Sequence, residues 1–129
     1  MADIVELTIP VTADLVVLAR LTAATVASRA EFDVEEIEDL RLAVDELCIS
    51  VIQGSSDGRL DLQFSRDNHE IEVSCQYHGV LASVPVPSDD LLDGLSARIL
   101  DALVDEHGRN KKDGRRQAWL RKRRAQRSG

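Results

Sequence analysis

Asp33–Ile52, DVEEIEDLRLAVDELCISVI, is the stretch that decides the fold. Asp33 and Glu36 stand three apart as a capping box with an acidic cap, and Ile37, Leu40, Val44, Leu47 and Val51 recur at helical spacing until Gly54. This is an amphipathic helix with one face on a core. At about 100° per residue Glu46 points almost directly away from that face, yet Leu42 and Ile49 flank it on the same side. A plain surface helix would not carry them, so the helix is expected to make contacts on both sides, with Glu46 at the lip of a crevice. Ser50, four residues on, shares its face. Taken alone, Glu46 reads as one of many solvated acids on an acidic domain.

Upstream, Ala13 to Ala30 holds no Gly or Pro, repeats Leu15, Leu18, Thr22 and Val26 at helical spacing, and has Thr12 in position to cap it. Before it, Val5, Leu7 and Ile9 alternate with polar residues in a strand from Ile4 to Pro10. Downstream, Leu60, Leu62 and Phe64, then Ile71, Val73, Cys75 and Tyr77, form two alternating runs joined by Asp67 and Asn68, a hairpin. Val80 to Pro87 reads as a loop or irregular edge. Ser88 caps a third helix with the stripe Leu92, Leu95, Ile99 and Leu103, expected to end near Gly108, and Arg116 to Arg121 is a charged edge strand. The expected order is β, α, α, β, β, α, β. Segregated strands and helices predict an α+β two-layer sandwich, a mixed or antiparallel sheet covered on one face by three helices.

At 129 residues and 14.2 kDa, with 43% apolar residues, the chain fits one domain with a core of its own, expected over residues 1–124 with a disordered basic end at 125–129. Aromatics make up 3%, too few for stacking platforms on single-stranded nucleic acid. Cys48 and Cys75 have no second Cys or His at metal-ligand spacing, read as reduced core thiols, and leave no metal site. The start is not that of a signal peptide and no apolar run reaches about 18 residues, so a cytoplasmic protein without a membrane span is expected. Residues 1–108 carry 6 Lys+Arg against 22 Asp+Glu, a net −16, whereas 109–129 carry 10 against 1, a net +9. The acidic body repels phosphate backbones and suits a basic protein partner.

Leu21 to Ile52, LTAATVASRAEFDVEEIEDLRLAVDELCISVI, closely resembles the serine-kinase anti-sigma factors of bacterial stress and sporulation switches, most strongly at VASR and IEDLRLAVDELC. VELTIPVTADLVVLARLT resembles their first strand and helix, and GLSARILDALVDE their last helix, so nearly the whole chain is covered. The resemblance implies the fold of the gyrase, histidine-kinase and MutL type of ATPase. In that family a Glu acts as general base towards a substrate serine, and an Asn four residues later ligates magnesium. Glu46 matches the first and Ser50 replaces the second, a shorter and poorer ligand. A D-x-G motif, whose Asp receives the adenine amino group, is here Tyr77, His78 and Gly79. Tyr77 puts a phenol where the adenine would lie, continuing the inward alternation, while His78 reads as a surface loop residue because no acid or nucleophile lies at local spacing.

The lid that follows in the family is reduced to Val80–Asp93, and Gly94 with Ser96 retains one glycine of its second box. Losing a charge-assisted adenine contact costs about 2 kcal/mol and losing metal or phosphate contacts about 2 more, roughly 10³ in affinity. The resemblance therefore implies an anti-sigma-type regulator that binds a sigma factor or an anti-sigma antagonist through the first-helix Arg20, without bound cofactor or kinase activity; the sequence leaves the oligomeric state open, a homodimer included. The alternative is an ATP- and magnesium-dependent serine kinase using Glu46. A third reading makes Arg115, Arg116, Arg121, Lys122, Arg123 and Arg124 a contact for RNA polymerase, nucleic acid or another acidic surface.

Overall fold

The computed structural model describes residues 3–52, 57–67, 69–79, 90–112 and 115–125. The elements are β1 (Asp3–Pro10), α1 (Ala13–Arg29), α2 (Val34–Ile52), β2 (Arg59–Arg66), β3 (Glu70–His78), α3 (Asp90–Leu103), β4 (Glu106–Lys112) and β5 (Arg115–Arg123). All pairings are antiparallel, in the order β1-β2-β3-β5-β4. The helices pack on this sheet with α2 between α1 and α3. This is the α+β sandwich expected, with a wholly antiparallel sheet.

The core lies where the two periodicities meet. Leu60, Leu62 and Phe64 of β2 and Ile71, Val73, Cys75 and Tyr77 of β3 are buried, as are Leu40, Val44, Leu47 and Val51 of α2. Each large apolar side chain so buried contributes about 1.5–3 kcal/mol of transfer free energy. The capping box is formed: the Asp33 amide donates to Glu36 Oε1 at 2.9 Å and the Glu36 amide to Asp33 Oδ1 at 2.7 Å. Thr12 occupies the cap position of α1, but its side chain makes no capping bond.

Three sequence expectations need correction: the charged strand expected at an edge is β5, an interior strand between β3 and β4, and the other two concern the segment before it. Helix α3 ends at Leu103 rather than near Gly108, and Glu106–Lys112 is an additional strand, β4, paired with β5 from Glu106↔Arg121 to Lys112↔Arg115. As an edge strand with no apolar alternation, β4 offers no period to read. Gly108 is no helix terminator: a Cβ there would lie 2.7 Å from Trp119 Nε1, so the glycine admits the indole across the strand pair. Asn68, Gly54, Val80–Pro87, Ser88 and the chain end at 126–129 lie outside the described residues, while the Asp67 side chain accepts from the His69 amide at 2.8 Å as a turn residue.

The helix C-termini share a device. Arg66 of β2 donates to the Arg29 carbonyl at 2.7 Å, Arg116 of β5 to the Val51 and Ile52 carbonyls at 3.3 Å, and Lys122 of β5 to the Leu103 carbonyl at 2.7 Å. Helices α2 and α3 have no basic residue in their own last turns. Cations on the sheet thus satisfy the open carbonyls and the negative helix ends from below.

Candidate functional site

Helix α2 presents the residues that the sequence singled out. Leu42 and Ile49 are 56% and 57% exposed, and Glu46 between them is half-buried. Among the described residues the Glu46 carboxylate has no hydrogen-bond or ion-pair partner. Ser50, one turn on, is buried and its hydroxyl donates to the Leu47 carbonyl at 2.8 Å. That is the back-bond to the preceding turn common to helical serines, and it aims the donor at the helix itself.

Tyr77 lies at the end of β3, 1% exposed. Its hydroxyl donates to the Asp57 carbonyl at 2.8 Å, with Asp57 Oδ1 at 3.2 Å. The Arg116 guanidinium stands 5.9 Å from the ring centroid while holding the Val51 and Ile52 carbonyls, so ring, cation and last turn of α2 form one stack. A Cβ built on Gly79 would come within 2.4 Å of the Tyr77 hydroxyl. The phenol therefore fills the space beside Gly79.

Gly94 and Ser96 lie in α3, fifteen and seventeen positions after Gly79, with ten residues, 80–89, between Gly79 and the start of that helix. A Cβ at Gly94 would meet open space, so nothing among the described residues requires a glycine there. The Ser96 hydroxyl is buried and has no hydrogen-bond partner among them.

On the other flank of α2, Arg20 Nε of α1 lies 3.4 Å from Asp45 Oδ1, both side chains about one-third exposed. Arg20 is thus already matched to a carboxylate. His78 corrects the sequence reading: it ends β3 rather than sitting in a loop, and its Nε2 lies 2.8 Å from Asp61 Oδ2 on the neighbouring strand, an acid seventeen positions away and so invisible to local spacing. Cys48 and Cys75 also meet, across the α2–β3 seam. The contact with Cys48 and its own burial push the Cys75 thiol well above the usual range, so Cys75 supplies no ready thiolate.

The family model described as "Histidine kinase-like ATPase domain" matches residues 9–122. The serine-protein kinase RsbW of Bacillus pumilus is 30% identical over 109 residues, covering 80% of this chain and 67% of that protein. The chain belongs to the histidine kinase-like ATPase family, and to its RsbW type. The RsbW proteins of Bacillus subtilis and Bacillus thuringiensis are 34% and 32% identical over 76 and 79 residues, and there the chain spans about half of the relative's length, 48% and 49%. Of the residues that the sequence singled out, Tyr77 is buried with its hydroxyl on Asp57, and Ser50 turns its hydroxyl to its own helix. Among the described residues no cluster of three His, Cys, Asp or Glu is placed to hold a metal, and no helix is long and apolar enough to cross a membrane.

Proposed function

We propose that this RsbW-type chain works as a cytoplasmic binding module, holding a sigma factor or an anti-sigma antagonist without transferring phosphate. The observation that carries this reading is the buried Tyr77 ring, hydrogen-bonded to Asp57 and packed on Gly79 in the position where the family resemblance puts adenine. The back-bonded Ser50 and the ten-residue connection to α3 point the same way. Partner binding then rests on the helical layer, where Arg20 and Asp45 form a charged centre beside the exposed Leu42 and Ile49, a patch that mixes anchoring apolar surface with an orienting ion pair. The free edge of β1, where Ile4 is 57% exposed beside a groove of about 370 Å³ lined by Val5, Val26 and Arg29, is the surface for a second copy.

Calorimetry with magnesium ATP tests the reading. No saturable heat is expected below millimolar nucleotide, and binding tighter than about 100 µM would sink it, given the roughly 10³-fold loss expected from the missing contacts. One observation favours the kinase alternative: Glu46 is half-buried and unpartnered, as a general base requires. Glu46→Ala is expected to leave partner affinity nearly unchanged. Loss of a serine phosphotransfer that the wild type performs would put the kinase in its place.

A further inference from the structure

The surroundings of Tyr77 are more specific than a core tyrosine needs. The Asp57 carbonyl accepts its hydroxyl at 2.8 Å, and Arg116 stands 5.9 Å from the centroid of its ring. Gly79 has no positive φ to explain it, yet a Cβ there would sit 2.4 Å from the hydroxyl oxygen and 2.7 Å from Cζ. Gly58, held to glycine first by its φ of +93° and by the His78 carbonyl oxygen 2.4 Å from a Cβ there, would also bring that Cβ within 3.1 Å of Cε2. Two backbone segments without side chains, a cation over the ring and an acceptor at its tip come from three separate stretches of chain. Backbone that close to a flat group is the mark of a site shaped for a planar ring.

We infer that this is a ring-binding site whose occupant is the chain's own Tyr77 side chain, and that it takes a free planar phenol when that side chain is removed. The inference rests on the proposed function in one respect only, the reading that no nucleotide competes for the space. It gives the chain a folded state whose stability is independent of small ligands.

The test is the thermal unfolding of Tyr77→Ala with p-cresol, the missing side chain as a free molecule, and with 4-methylcyclohexanol, which keeps the hydroxyl but not the plane. The variant is expected to melt below the wild type, and p-cresol to lower its unfolding constant by the factor 1 + [L]/Kd, about 100-fold at one hundred times Kd. Wild type should not respond, nor the variant to the cyclohexanol. Equal stabilisation by both probes, equal stabilisation of wild type, or no effect of p-cresol on the variant would overturn the inference. Should Tyr77→Ala fold only with p-cresol present, that dependence supports it. A double-mutant cycle stands apart from that variant's folding: Gly79→Ala is expected to destabilise the wild type strongly and the Tyr77→Leu background little, and additive effects would count against the site. Magnesium ATP binding to wild type would overturn the silent-pocket reading, whereas failure of p-cresol with wild type still silent would overturn this inference alone.

Discussion

Ser50 and Asp33 show how one polar side chain on one helix can serve opposite ends. At the entrance of α2 the Asp33 carboxylate accepts the Glu36 amide that the helix leaves open, while near its exit the Ser50 hydroxyl returns to a carbonyl already within the helix. Asp33→Ala is therefore expected to cost about 1 kcal/mol in urea unfolding, with Asp33→Asn close to wild type. Ser50→Ala should be nearly silent, because the bond it removes competes with helical geometry rather than completing it. The two thiols are the other residue-level case. Held in contact across the seam, with Cys75 pushed up by Cys48 and by burial, they are expected to resist a thiol reagent in the native state up to about pH 9 and to react on unfolding. Fast native labelling would show that the seam opens. The capping box was legible because its two residues lie three apart in the chain; the thiol pair, the His78–Asp61 pair and the Tyr77–Asp57 bond were not, because each joins residues at least seventeen positions apart.

Among elements, β4 is the one that the sequence did not disclose. Helices α1 and α2 and the β2–β3 hairpin carry apolar periods because each buries one face; β4 buries neither in that way and is held by backbone pairing and charge. Arg121 of β5 joins it to β3: its guanidinium reaches Glu106 at 2.6 Å, Glu72 at 2.9 Å and Glu70 at 3.2 Å and lies over the Trp119 ring at 5.3 Å. Arg123 also bonds Glu106, and this holds the Glu106 carboxyl below the usual carboxylate value. A carboxylate with a depressed folded-state pKa stabilises fully above its unfolded value of 4.5 and loses that contribution as pH falls through the lower folded value. The strand pair is thus expected to loosen below about pH 4.5, and Glu106→Gln to flatten that acid limb while leaving the curve above pH 6 the same shape. Hydrogen exchange of the β4 amides against pH measures it. Protection that is equally acid-sensitive in the variant would assign the effect elsewhere.

At the scale of the molecule, charge decides how the basic C-terminal segment is to be understood. A run of cations with net +9 after an acidic body invites a reading as a contact for an anionic partner, and the composition alone allows it. The fold places five of these ten cations on internal duties. Arg116 and Lys122 cap α2 and α3 from beneath, Arg121 and Arg123 bind the acids of β3 and β4, and Arg124 reaches Glu31 at 3.1 Å. The segment is also β5, an interior strand between β3 and β4, so the sheet cannot close without it. Stability and binding then respond differently to substitution. Lys122→Ala leaves the part-buried Leu103 carbonyl without its donor and Arg116→Ala uncovers two carbonyls and the Tyr77 ring, each expected to cost about 1–3 kcal/mol in urea unfolding. Arg115→Ala, exposed and unpartnered among the described residues, should stay within about 0.5 kcal/mol. A segment made for an anionic partner would behave the other way, with all three variants equally stable and each lowering affinity for duplex DNA by a similar factor at low salt. Fluorescence anisotropy with labelled duplex, run beside the unfolding curves, separates the two: no saturable binding at 0.15 M salt, together with ranked losses of stability, is the outcome that a structural role for these cations requires.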